Sequence, residues 1–288
     1  MNGRDLAELV RLPAALTVPG DALTGAAYAG ASARYSAAMP IASACLYWAG
    51  MALNDWADRD LDAVERPERP IPSGRISPRT AITTAGVLGL AGISASAVAG
   101  GRAALRVSLP LAALVWAYDT IAKQSPAGPV VMASNRGLDV LLGACAAPVR
   151  AWEPATSVAA HTVAVTTLSR DEVHGTDPSR AGTVTAATAA IATAGVVRAL
   201  TDRRARRRDR LVSAALSTAY GVVVGRAQSR TIADPSAATV RDATGRGIAG
   251  FPLLQASWLA RRGRLGAAAT VLAGGPLVRY ASRRMSTT

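Results

Sequence analysis

Apolar stretches of near-spanning length recur from one end of this chain to the other, and no other feature narrows its possible folds as sharply. They fall at about 8–30, 38–56, 80–100, 103–119, 128–149, 154–169, 181–199, 211–227, 244–260 and 265–282. Each is close to the roughly 20 residues that carry a helix across a bilayer. Backbone in lipid must satisfy its polar groups internally, so helices are the expected form. The pattern predicts an all-α fold: a polytopic membrane bundle of nine transmembrane helices, or ten if the last two stretches are separate spans. Mean hydropathy is only +0.22 because Ala, Gly and Val supply the apolar mass, and such small residues let helices approach closely in lipid. The whole chain, 1–288, reads as a single transmembrane domain. No charged leader with a cleavage site opens it, so the first stretch is expected to persist as a span.

The net charge of +13 comes from 31 arginines and one lysine. In a soluble protein this would suggest nucleic acid, but aromatic residues make up only 4% of the chain, too few for a base-stacking platform. Nucleic acid is therefore not an expected partner. In a membrane protein, loop arginines set orientation and meet anionic membrane lipids. Placing the N-terminus inside puts 18 of the 32 cationic residues on the inner face. That places the protein in the cell membrane with its acidic motifs on the cytoplasmic side. Residues 198–210 disturb the bias with seven outer arginines; either this segment folds back as an amphipathic helix, or one span is misplaced. Cys45 and Cys145 lie in separate apolar stretches and read as buried free thiols.

Residues 53–77, LNDWADRDLDAVERPERPIPSGRIS, carry the chemistry. On a helix, Asn54, Asp55, Asp58 and Asp62 share one arc, while Asp60 points elsewhere. Three carboxylates at a membrane boundary demand cations. Oxygen-only donors suit Mg²⁺, which prefers one or two carboxylates, waters and phosphate oxygens. Arg66, Arg69 and Arg75 follow, and their guanidinium forks suit a diphosphate. The competing reading is a solvated charged loop with local Asp–Arg pairs.

These residues resemble the UbiA-type intramembrane prenyltransferases. The family's N-D-x-x-D-x-x-x-D stands here as Asn54 to Asp62, and its R-P-x-P-S-G run as Arg69 to Gly74. The resemblance implies a prenyltransferase. Its aspartates hold Mg²⁺ on the diphosphate of a prenyl diphosphate donor, which ionises and alkylates a small or lipid acceptor whose identity is unknown. It assigns Asp55, Asp58, Asp62 and Asp171 as catalytic and metal-binding. It assigns Asn54, Arg66, Arg69, Tyr118, Lys123, Arg136, Glu172 and Asp177 to substrate.

The second acidic motif departs from the family's D-x-x-x-D. The chain reads S-R-D-E-V-H-G-T-D over 169–177, with Gly175 where the second aspartate belongs. The wording resembles the EboC-like branch. For Asp177 to substitute, the loop must bend near Gly175 and turn Asp177 toward the Asn54–Asp62 arc. Tyr118 and Lys123 resemble the family's Y-x-x-x-K segment with one residue added. Lys123 then either contacts phosphate or snorkels to the head groups. Asn135, Arg136 and Asp139 resemble a polar patch on the family's fifth helix. Asp21 interrupts the first stretch, to touch the acceptor or to pair with Arg11. His161 and His174 are too separated for a metal cluster. Two other functions stay open: a non-catalytic isoprenoid-diphosphate binder or transport component, and an ion-coupled transporter, although the latter would show inverted repeats.

Overall fold

The structure is a computed structural model and describes residues 3–12, 18–31 and 33–274, without the side chains of 33, 34 and 36. Among the described residues every regular element is helical. In order they are α1 (Gly3–Leu9), α2 (Pro19–Ala29), α3 (Ala33–Ala57), α4 (Arg59–Glu65), α5 (Pro78–Ala117), α6 (Gly128–Gly143), α7 (Trp152–Ser169), α8 (Pro178–Thr201), α9 (Arg207–Ala233), α10 (Ala237–Arg261) and α11 (Leu265–Gly274). Starts are written locally. Proline opens α2, α5, α6 and α8, where its missing N–H costs nothing. The Ser77 and Ser236 hydroxyls accept from the amides of Thr80 and Thr239, capping α5 and α10.

The 40 residues of α5 are two antiparallel limbs rather than one rod. Gly101 leaves helical geometry at φ 58°, ψ −144°, and Ser96 reaches Ser108 across the turn, Oγ to Oγ, at 2.9 Å. A straight helix would hold these hydroxyls about 18 Å apart. The stretches expected at 80–100 and 103–119 are thus separate limbs. Both lie against α3: Gly92 beside Ala42 and Leu46, and Gly50 beside Val115.

The first stretch, expected as one span over 8–30, is divided. The backbone of Arg11 turns left-handed at φ 48°, and α2 begins only at Pro19, which could not sit inside a continuous helix without breaking its ladder; residues 13–17 lie outside the described residues. In the last stretch, 265–274 is helical and 275–282 lies outside the described residues. The arginine-rich 198–210 segment is no amphipathic helix. It is the end of α8, a turn, and the first residues of α9. Among the described residues, two helical stretches are long and apolar enough to cross a membrane: Pro78–Ala122, which comprises both limbs of α5 and the turn after them, and Pro178–Thr201.

Small residues set the packing. A Cβ on Gly25 would fall on the Val140 carbonyl oxygen, and one on Gly143 on that of Ala22, so α2 and α6 meet backbone to backbone. One apolar core joins α2, α6, α7, α9 and α10 through Tyr28, Val140, Val158, Tyr220 and Trp258. Fully buried His161 is structural: its Nε2 lies 3.0 Å from the Gly247 carbonyl and its Nδ1 2.9 Å from the Tyr220 hydroxyl. Glu153 binds Arg198 at 2.6 Å and Arg261 at 3.2 Å, and Arg261 also holds Asp202 at 3.0 Å, tying α7, α8 and α10. Cys45 and Cys145 are free thiols.

Replacing Gly143 with Leu should separate α2 from α6 and cost about 3 kcal/mol or more. Thermal unfolding of the purified protein in detergent would report it; an unchanged midpoint would contradict this packing.

Candidate active site

The chain between α3 and α4 breaks at Asp58 without losing helical register. Asp58 N–H donates to the Asn54 carbonyl at 2.9 Å, and Asp62 N–H to that of Asp58 at 2.8 Å. Asn54, Asp58 and Asp62 therefore stay one turn apart, with Asp55 beside them. Asp55 and Asp62 are almost wholly buried, and charge burial of this kind requires partners. Arg69 supplies them, reaching Asp62 at 2.6 Å and Asp55 at 3.4 Å through one nitrogen. Arg11 adds a contact to Asp55 at 3.1 Å, and Arg66 one to Asp62 at 3.5 Å. Arg75 is committed elsewhere: both its terminal nitrogens bind Glu8, at 2.6 and 2.9 Å, and it also reaches Asp5 at 3.1 Å. Hydrogen bonding to Glu8 raises its pKa above the ordinary arginine value.

The other half of the arc faces the end of α5. Lys123 pairs with Asp58, and the Asn54 amide donates to Asp119 at 3.1 Å. The five residues Tyr118–Ala122 form a π-helical turn, closed by Lys123 N–H donating to the Tyr118 carbonyl at 2.8 Å. The added residue in this segment is absorbed there. Asp119 and Arg11 were not among the expected site residues. A π-turn has no marked sequence signature, and Arg11 reaches the site from across a break in the chain.

A cavity of about 500 Å³ runs inward from this acidic end. Arg11, Asn54, Tyr118, Asp119 and Lys123 line its polar end, and Leu46, Met51, Leu111, Val115, Val165 and Phe251 its apolar walls. Asn135, Arg136 and Asp139 also line it. Arg136 lies over the Phe251 ring, 4.4 Å from its centroid, and pairs at 2.9 Å with wholly buried Asp21. Asp21 thus answers to Arg136 and to Gln255, whose amide donates to it at 2.7 Å, and Arg11 belongs to Asp55. A second cavity of about 410 Å³ opens beside Trp56, Asp58, Asp119 and Lys123.

The 171–177 loop does not join this arrangement. Both Asp171 oxygens accept from Arg180, at 2.7 and 2.8 Å, and one also from Thr176 at 2.5 Å. Asp177 caps α8, accepting from the amides of Ser179 and Arg180 at 2.8 and 3.1 Å. The bend at Gly175 is present, at φ 83°, yet Asp177 turns to its own helix rather than toward the Asn54–Asp62 arc. N-cap geometry is the reason: a carboxylate there satisfies amides that would otherwise be orphaned. A side chain on Gly175 would collide with the Pro235 carbonyl. Glu172 takes part through its backbone: its carbonyl accepts from Arg241 at 2.7 Å and its N–H donates to the Ser169 carbonyl at 3.4 Å. Neither cavity is lined by Asp171, Glu172 or Asp177.

As a donor set, Asn54, Asp55, Asp58, Asp62 and Asp119 fit a hard divalent cation, being oxygen donors throughout. Among the described residues no three His, Cys, Asp or Glu side chains converge closely enough to hold a metal alone.

Comparison with known proteins identifies a family. A family model described as the UbiA prenyltransferase family matches residues 15–201. A digeranylgeranylglyceryl phosphate synthase of Methanothrix thermoacetophila is 36% identical over 125 residues, covering 43% of this chain and 45% of that protein. The corresponding Natronomonas pharaonis protein is 34% identical over 146 residues, 50% of this chain and 52% of its own length. The chain thus spans about half the length of these curated relatives. Among solved structures, a UbiA homolog from Archaeoglobus fulgidus bound to GPP and Mg²⁺ superposes with a TM-score of 0.60 at 14% identity, covering 86% of this chain and 99% of that one. A UbiA homolog from Aeropyrum pernix K1 gives 0.62 at 19% identity, covering 84% and 96%. At these identities the likeness is one of fold.

Two substitutions test the site. Arg69→Ala leaves two buried carboxylates short of a cation and should destabilise the protein by about 3 kcal/mol; thermal unfolding unchanged from wild type would contradict the pairing. Gly175→Asp, which would complete D-x-x-x-D in sequence, should lower the unfolding midpoint instead of raising activity, because an L side chain at this φ strains against Pro235. A stable and more active variant would refute that reading of the loop.

Proposed function

The chain belongs to the UbiA prenyltransferase family, whose members are integral membrane proteins, and from that premise we propose that it is itself an intramembrane prenyltransferase. It would move an isoprenoid chain from a prenyl diphosphate to a small or lipid acceptor, using Mg²⁺ held at Asn54, Asp55, Asp58 and Asp62. The observation that carries this reading is the junction of that acidic arc with an apolar-walled cavity of about 500 Å³. A cationic and acidic end beside an apolar one matches a diphosphate with a hydrocarbon tail. The proposal sets the whole chain, as one domain, in the cell membrane with its acidic end cytoplasmic, the side that carries 18 of the 32 cationic residues when the N-terminus is inside.

Charge accounting supports it. Asp55, Asp58, Asp62 and Asp119 stand against Arg11, Arg66, Arg69 and Lys123, four of each sign. Mg²⁺ and a diphosphate entering together nearly preserve that balance, whereas either alone upsets it. When bound, Mg²⁺ supplies a Lewis acid on the departing diphosphate. The chain's own cations do the rest. Lys123, drawn off Asp58, turns to the diphosphate oxygens and neutralises charge as it develops, while Arg69 stays between Asp55 and Asp62 and offers its remaining N–H groups to the same anion. The C1–O bond breaks with its electron pair going to the diphosphate, the acceptor's lone pair forms the new bond to C1, and the acceptor's proton leaves to water. Leu46, Met51, Leu111, Val115 and Val165 hold the tail and keep water from the allylic cation.

Asp58→Asn should abolish Mg²⁺-dependent turnover while the protein remains folded, and wild-type rates would sink the assignment. Geranyl thiolodiphosphate, which resists cleavage, should raise the apparent affinity for Mg²⁺ by at least about tenfold in calorimetric titration. Independent binding of the two would contradict the charge argument.

A further inference from the structure

Asp119 has no assigned role, and its position gives it one. We infer that Asp119 is a metal-binding residue of this site, acting with Asn54 and Asp58 in place of a contribution from the 171–177 loop; the inference rests on the prenyl-transfer reading above.

The π-turn is the first observation. With one residue more than Y-x-x-x-K, a regular α-helix would place Lys123 about 140° around the axis from Tyr118 instead of about 40°. The wider turn absorbs the extra residue, and both side chains line the main cavity. Such turns concentrate at functional sites. Asp119, next to Tyr118 within this turn, enters the cavity wall too.

The second observation is where that carboxylate goes. Asp119 and Lys123 line both cavities, the larger with Asn54 and the smaller with Asp58. Asp119 therefore stands beside two successive members of the acidic arc, Asn54 and Asp58, at 3.1 Å from the Asn54 amide. When Lys123 leaves Asp58 for a diphosphate, Asp58 and Asp119 are the carboxylates flanking the opening, and a divalent cation is what neutralises them. The 171–177 loop lines neither cavity: Asp171 is held by Arg180 and Thr176, Asp177 caps α8, and Glu172 is in neither wall.

A purely structural Asp119 would need only to accept the Asn54 hydrogen bond. Asn at 119 does that as well, so Asp119→Asn separates charge from scaffold. The probe is Mn²⁺, followed by electron paramagnetic resonance on the purified full-length protein with geranyl thiolodiphosphate present. Asp119→Asn should weaken Mn²⁺ binding at least tenfold with an unfolding midpoint near wild type, while Asp171→Asn should change it less than twofold. Wild-type Mn²⁺ affinity in Asp119→Asn, with loss in Asp58→Asn, would overturn this inference and leave the prenyl-transfer reading intact; so would loss in Asp171→Asn alone. Absence of Mn²⁺ binding in the wild-type protein with the diphosphate present would overturn both.

Discussion

Everything at the acidic end of this bundle depends on how Asp55 and Asp62, almost wholly buried, are given a cationic partner. One Arg69 nitrogen serves both, at 3.4 and 2.6 Å. That requirement explains why the 66–76 connection folds back on α4 through consecutive turns, with Ile76 N–H donating to the Pro70 carbonyl at 2.9 Å and Ser73 N–H to that of Arg69 at 3.0 Å. It also draws in α1, since Arg11 reaches Asp55 and Arg75 of the same connection grips Glu8 and Asp5. Removing one partner from a buried pair costs more than the pair contributes, so the acidic arc and its loop form one unit.

The arc has a second side with different chemistry. Asp58 and Asn54 face Lys123 and Asp119 where the two cavities meet, and the Lys123–Asp58 pair is less buried than Arg69 with Asp62. A pair nearer to water exchanges partners at less cost than a buried one. The buried half is built to hold geometry and the open half to trade cations, which is what a site receiving a diphosphate and its metal requires.

Much of this was legible in the residues. The apolar stretches predict a helical bundle, and the Asn54–Asp62 spacing predicts one acidic arc, because that periodicity survives the break at Asp58; the Arg69–Gly74 run was legible only through its resemblance to a family motif, and its arginine comes to Asp55 and Asp62. What was hidden depends on long-range partners or on backbone states without a strong sequence signal. Asp21 could have answered to Arg11, but the close approach of α2 to α6 gives it Arg136. Asp177 looked available for a metal, but Pro178 after it begins a helix and makes it a cap. The residue added between Tyr118 and Lys123 was visible, whereas the π-turn that absorbs it, and hence Asp119, was not.

The central claim is that an acidic arc neutralised by Arg69 and Lys123 cleaves a prenyl diphosphate. Its most direct test is inorganic diphosphate release from geranyl diphosphate by the purified protein, titrated with Mg²⁺ in the presence of membrane lipid extract as acceptor. The account predicts release that requires Mg²⁺, ceases with chelator and matches the prenylated product mole for mole. Tight, Mg²⁺-dependent binding of the donor with no diphosphate released under any acceptor condition would contradict it, and would make the protein a carrier of isoprenoid diphosphates.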